Sequence, residues 1–207
     1  MRESSEQEEF WRQDFGVDYI ERNGSDQLLA SNLALFSKIL ASSDYPKSVL
    51  ELGANIGMNL RALQLLFPDQ KHSAVEINPQ ACDRLSNVIG EENAFLGSIL
   101  DVTLDEKFDL VFTKGVLIHI NPEHLTAVYK RMFDWSNRYV LMIEYFNPTP
   151  VTVSYRGHKD RLFKRDFAGE FMDIYPDFSL VDYGFSYRRD PCHPQDDVTW
   201  FLMERTQ

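Results

Sequence analysis

Apolar residues in this chain gather into short continuous runs, at 48–54, 72–78, 94–98, 108–114 and 139–146, separated by stretches with helical spacing. A continuous run suits a strand covered on both faces, as in a parallel sheet, and parallel neighbours need crossover connections that are usually helical. Between the runs, Leu60, Leu63, Leu66 and Phe67 fall on one side of segment 58–67, and Pro68 closes it. Pro79 opens the next helix. Asn121 and Pro122 read as the N-cap and first helical position of a third helix that continues through Val128 and Met132. Segment 166–175 predicts another helix. After it come two β-rich runs, 179–188 and 199–204, joined by the turn-prone Asp190-Pro191-Cys192-His193-Pro194, which read as an antiparallel pair.

The pattern predicts an α/β fold: a Rossmann-like, seven-stranded, mostly parallel sheet with helices on both faces. Ahead of it, segment 8–23 carries Phe10, Trp11, Phe15 and Tyr19, and 28–40 is amphipathic. Residues 1–45 thus read as a helical cap on a core spanning 46–207. No repeat, low-complexity linker or composition shift divides the 207 residues, so a single domain is expected. The charged stretch 2–9 is expected to be disordered and to make no core contacts.

Composition narrows the function classes. An apolar content of 43% with 13% aromatics suffices for a packed enzyme core. The formal charge of -11 argues against a partner with a phosphate backbone, because nucleic-acid binders carry basic surface that releases counterions. Cys82 and Cys192 are too few for a disulfide framework, and the acidic amino terminus lacks the regions of a signal peptide. The cytoplasm is the default expectation. No apolar run approaches the roughly 20 residues needed to span a bilayer, so no membrane partner is expected.

The chemistry concentrates where the predicted strands end, which is where open parallel sheets bind ligands. The first strand runs into Glu51-Leu52-Gly53-Ala54-Asn55-Ile56-Gly57, and the second ends at Glu76-Ile77. Glycines at 53 and 57 let the backbone approach a ligand closely, and Asn55 between them tolerates a left-handed conformation. Glu76 is placed to accept hydrogen bonds from a ribose diol. Glu51 either orients the turn or receives an amino group. Gly97-Ser98-Ile99 follows the third strand. The fourth strand ends at Thr113-Lys114-Gly115, whose backbone is expected to pass beside the reacting centre, with Lys114 turned away or toward an anionic group. His119 is a candidate base or a packed, hydrogen-bonded residue.

Beyond the fifth strand, Tyr145 and Asn147 lead into a basic and aromatic loop, Tyr155-Arg156-Gly157-His158-Lys159-Asp160-Arg161-Leu162-Phe163-Lys164-Arg165. Tyr155, Arg156, His158, Arg161 and Lys164 there are expected to draw an anionic small molecule, unless the loop is a solvated surface paired with its own acids. Tyr183 and Tyr187 are candidates for the same wall. Cys192, His193, Asp196 and Asp197 lack a second set of ligands at metal spacing, so no metal is expected.

The turn at 51–57 resembles motif I of the class I S-adenosylmethionine-dependent methyltransferases. Gly97-Ser98-Ile99 resembles the segment that packs on adenine in this class. The runs 51–59, 114–122, 155–158 and 161–170, extended by Phe10-Trp11, by 19–23 and by 195–200, are similar to the pseudaminic acid biosynthesis-associated methyltransferases. The resemblance implies S-adenosylmethionine as cofactor and a methyl acceptor that is a small, polar or anionic metabolite. It implies genomic company with acidic nine-carbon sugar pathways and leaves the acceptor atom open between nitrogen and oxygen. Trp11, Tyr19 and Arg22 are expected to fold over the cofactor, contacting it together with the motif residues. Candidate bases for an acceptor that must lose a proton are His158, His119 and Tyr145. Two other classes stay open: a catalytically silent cofactor-binding protein and a nucleotide-dependent oxidoreductase.

Overall fold

The computed structural model describes residues 3–13, 16, 24–155 and 158–206, with side chains at 154, 155 and 158–161 outside the description. Seven strands form one sheet: β1 (Ser48–Leu52), β2 (Lys71–Glu76), β3 (Ala94–Leu96), β4 (Phe108–Lys114), β5 (Ser136–Glu144), β8 (Phe178–Ser186) and β9 (Val198–Arg205), in the order β3-β2-β1-β4-β5-β9-β8. The first five are parallel, and β9 runs antiparallel to both β5 and β8. The strand order reverses between β1 and β4, so the crevice at their carboxyl ends is the natural ligand position.

Alternation along the strands divides the core. Val49, Leu110, Phe112, Leu141 and Trp200 face the helices α2 (Asp26–Leu40), α3 (Met58–Leu66) and α4 (Pro79–Ile89). Leu50, Leu52, Val111, Val140 and Met203 face α5 (Leu125–Trp135) and α6 (Phe167–Ile174). Both layers hold side chains with no exposed surface, as a sheet covered on two faces requires.

Three expectations change. The amino-terminal stretch is not contact-free: Ser5 and Glu8 form a reciprocal capping box that starts α1 (Glu6–Arg12), with Gln7 and Glu8 buried. Glu8 accepts a hydrogen bond from the Ser98 hydroxyl, and Asn78 Nδ2 donates to the Trp11 carbonyl at 3.2 Å, so polar contacts dock this charged helix. The basic stretch expected as a loop is one strand of a hairpin, β6 (Val151–Tyr155) with β7 (His158–Lys164), because Val151 and Val153 alternate like a strand and Leu162 and Phe163 bury themselves. The helix expected from Pro122 begins with a 3₁₀ turn, Pro122–His124, where Asn121 Oδ1 accepts from Glu123 N at 3.1 Å, before α5 starts at Leu125.

Candidate functional site

The crevice is a cavity of about 430 Å³. Its floor is the turn after β1. Gly53, Asn55 and Gly57 all carry positive φ, at 78°, 49° and 81°. Gly53 amide donates to the Val75 carbonyl at 2.8 Å, and a Cβ there would meet the Val116 side chain at 2.7 Å, so the position excludes a side chain on both counts. Glu76, 6% exposed, holds this turn to its own strand end: Oε2 accepts from Asn55 N and Oε1 from Asn78 N, both at 2.7 Å. Burial raises the carboxyl above its ordinary range, and the amides of Asn78, Asn55 and Ile77 oppose the rise.

Around this floor the cavity is lined by Trp11, Ile77, Gly97, Ser98, Ile99, Lys114, Gly115 and His119. Gly115, φ 67°, has no atom of the described residues beyond its chain neighbours within 4 Å of where a Cβ would stand, so its missing side chain leaves space in the cavity itself. His119 is buried against the Trp11 ring, centroids 4.8 Å apart. Its position follows from Glu144, whose carboxylate accepts from the amides of Val116 (3.1 Å), Leu117 (3.2 Å) and Ile118 (3.4 Å) and so pins the 3₁₀ turn Leu117–His119. Burial lifts Glu144 to about 7 despite those amides.

Other sequence candidates stand elsewhere. Glu51 lies behind the wall, where Oε1 accepts from Asn59 Nδ2 at 2.6 Å and burial lifts the carboxyl to about 8. Gly57 serves as the N-cap of α3, and Thr113 is fully buried; neither lines the cavity. Tyr145 packs between the two core layers with Lys164 Nζ 4.9 Å from its ring, and Asn147 Nδ2 donates to the Thr149 carbonyl at 2.6 Å. Tyr183 and Tyr187 are exposed on the edge strand β8 and its end, Tyr183 stacking on Phe201. None of these four, nor Lys164, lines the cavity. Tyr155, His158 and Arg161 belong to the hairpin by backbone, with side chains outside the described residues; Tyr19, Arg22 and Arg156 lie outside them altogether.

The sequence reading missed Glu8, Ser31, Asn32, Asn78 and Gln195, which all line the cavity. Ser31 and Asn32 carried a usable signal, since two adjacent small polar residues interrupt the otherwise apolar face of α2 and are each 1% exposed. Among the described residues no cluster of three potential metal ligands exists, and no helix is long and apolar enough to cross a membrane.

No family model and no curated protein matches the chain. Solved structures do. A 1,6-didemethyltoxoflavin-N1-methyltransferase from Burkholderia thailandensis superposes with a TM-score of 0.70 over 100% of this chain and 93% of that one, at 16% identity. The fold is that of the S-adenosylmethionine-dependent methyltransferases. The same methyltransferase fold appears in the magnesium protoporphyrin IX methyltransferase from Synechocystis PCC 6803 (TM-score 0.65, 14% identity, 100% of both chains). It appears again in an amino pentose methyltransferase from Micromonospora echinaspora (TM-score 0.64, 12% identity, 100% of both chains). In a methyltransferase fold the cavity bounded by Gly53, Glu76, Ser98 and Gly115 occupies the carboxyl edge of the sheet at the reversal of strand order.

Proposed function

We propose that this protein is an S-adenosylmethionine-dependent methyltransferase that methylates a nitrogen or oxygen of a small polar or anionic metabolite. The observation that carries the proposal is the joint made by Glu76 with the left-handed turn at Asn55, beside an open position at Gly115. The residues present fit that cofactor. Asn55 Oδ1 is buried without a partner among the described residues and can accept from a ligand, while the free lone-pair capacity of Glu76 suits a ribose hydroxyl. The neighbours crystallised with S-adenosylmethionine or S-adenosylhomocysteine support the same choice.

When bound, the cofactor supplies an electrophilic methyl on a sulfonium. The chain's part is positioning, whose effective molarities correspond to roughly 7 to 11 kcal/mol of barrier, more than the roughly 10²- to 10⁴-fold of one general base. Trp11 and α1 cover the cavity and exclude water. Of the candidate bases with described side chains, His119 lines it, taking a proton when the acceptor is a hydroxyl or a protonated nitrogen; a neutral amine needs no such step. The similarity to pseudaminic acid biosynthesis-associated methyltransferases supports a setting in acidic-sugar metabolism.

Calorimetry with S-adenosylhomocysteine tests the cofactor, and mass spectrometry for a gain of about 14 daltons in small acidic or amine-bearing metabolites tests the transfer. Folded protein that gives no heat with either form of the cofactor refutes the proposal. Binding without any turnover across such metabolites identifies a silent cofactor-binding protein instead.

A further inference from the structure

The cavity wall built by α2, β4 and the β8–β9 connection carries a continuous chain of polar side chains. Lys114 Nζ donates to Asn32 Oδ1 at 3.1 Å, and Gln195 Nε2 donates to the same oxygen at 3.1 Å. Asn32 Nδ2 then donates to Asn59 Oδ1 at 2.9 Å, and Asn59 Nδ2 to Glu51 Oε1 at 2.6 Å. The ammonium end fixes the amide orientations: it can only donate, so each amide in turn accepts on the Lys114 side and donates toward Glu51.

This chain aims a cation into the cavity without neutralising it. An ammonium has three protons, and Lys114 places one on a neutral amide. Among the described residues no carboxylate stands at ion-pair distance from it. Burial pulls the Lys114 ammonium below its ordinary range, with the charges of Glu51, Asp196 and Glu144 opposing from further off. Ser31 precedes Asn32 on α2, lines the same wall and is 1% exposed, and its hydroxyl has no hydrogen-bond partner among the described residues. A desolvated cation and a buried, unpartnered hydroxyl that line one cavity are each costly unless a ligand completes them.

We propose that Lys114 and Ser31 form a subsite for a ligand carboxylate, with Asn32 and Gln195 as the positioning residues that aim the ammonium. One oxygen of the carboxylate pairs with Nζ, and the serine hydroxyl donates to the other. The charge count favours a monoanion. Arg188 at the rim is 3.3 Å from Asp197, and Asp196 also lines the cavity, so a dianionic phosphate would meet a repelling carboxylate with, among the described lysines and arginines of the lining, only Lys114 outside an ion pair to balance it. The inference rests on the methyltransferase reading and deepens it: the carboxylate belongs to an acidic methyl acceptor.

Calorimetry on wild type, Lys114→Met and Ser31→Ala separates an acceptor carboxylate from the cofactor's tail. The probes are S-adenosylhomocysteine, 5′-methylthioadenosine, which keeps the nucleoside and lacks the tail, and acetate against its uncharged shape match acetamide. If Lys114→Met weakens S-adenosylhomocysteine by about tenfold or more and leaves 5′-methylthioadenosine within about twofold, the cation serves the cofactor's own tail and the acceptor subsite is overturned. With an acceptor carboxylate in the subsite, S-adenosylhomocysteine affinity is unmoved, while acetate binds the S-adenosylhomocysteine-saturated wild type in preference to acetamide and is lost from Lys114→Met. Ser31→Ala shows the same selectivity with about a threefold effect, and it decides the matter should Lys114→Met fail to fold. Equal loss of charged and uncharged probes, or no change in any of them, overturns the subsite. Wild type that binds neither nucleoside but holds acetate through Lys114 would remove the methyltransferase reading and leave the subsite standing.

Discussion

Replacing Glu76 with Gln keeps the shape of the side chain and turns one acceptor oxygen into a donor. In the native arrangement the two oxygens take backbone amides at 2.7 Å each, from Asn55 and Asn78, inside a site 6% exposed. The glutamine can satisfy one of them, and its NH₂ then faces the other N–H. A hydrogen bond to a charged group contributes about 1.5 to 3 kcal/mol net, and the amide at stake belongs to Asn55, which already sits at φ 49° in a region that disfavours side chains. A loss of about 2 kcal/mol in the ordering of this turn corresponds to roughly 30-fold weaker binding of S-adenosylhomocysteine if all of it falls on the bound state. Calorimetry gives the affinity, and urea unfolding of the same sample shows whether the variant is folded. A folded Glu76→Gln protein whose dissociation constant stays within about twofold of wild type would remove Glu76 from the cofactor site and break the reasoning that joins turn, acid and ligand.

Gly115→Ala offers the complementary case: no atom of the described residues stands in the way of the new methyl, so stability should fall only by the roughly 1 to 2 kcal/mol of a left-handed alanine, whereas cofactor affinity should drop by about tenfold or more. Unchanged affinity would place the ligand elsewhere. His119→Gln should lower turnover of a hydroxyl acceptor by about 10²-fold or more with S-adenosylhomocysteine affinity within about threefold; if affinity falls as far as turnover, the ring serves only to pack Trp11. Trp11→Ala should weaken the cofactor by about two- to tenfold, the scale of an aromatic contact, and intact affinity and turnover together would rule out a covering role. Glu51 titrates near 8 in the fold against an ordinary 4.5, so the folded state holds its proton more tightly, and this contribution to stability is full below about 4.5 and lost as pH rises through 8. Glu51→Gln, whose amide oxygen still accepts from Asn59, should therefore gain stability relative to wild type between pH 5 and 8 in denaturant unfolding, and parallel pH profiles would refute the shift.

Much of the fold was legible because its determinants are local. Continuous apolar runs of strand length, helical spacing between them and prolines at 68, 79 and 122 fix the element order, and a parallel sheet follows from strands that alternate with helices. The floor of the site was legible for the same reason: Gly53, Asn55, Gly57 and Glu76 are tied by a single turn and one crossover, so their spacing in sequence predicts their meeting in space. Where the reading went astray, a partner distant in sequence made the difference. The charge of α1 hid its burial because Ser98, 90 residues away from Glu8, supplies the hydrogen bond that tolerates it. The hairpin at 151–164 was obscured by basic residues that drew attention from the alternation of Val151 and Val153.

What the sequence determined, then, is the set of contacts enforced by chain connectivity: the strand, the turn after it and the acid that closes it. Only the tertiary structure decided which polar side chains share a wall. Asn32, Asn59, Lys114 and Gln195 come from four separate segments, and no periodicity in any one of them signals that their amides and ammonium form a single directed chain. The physical reason is that burial of such groups depends on mutual hydrogen bonding, a property of the assembled set, whereas burial of an apolar strand depends on the strand's own composition.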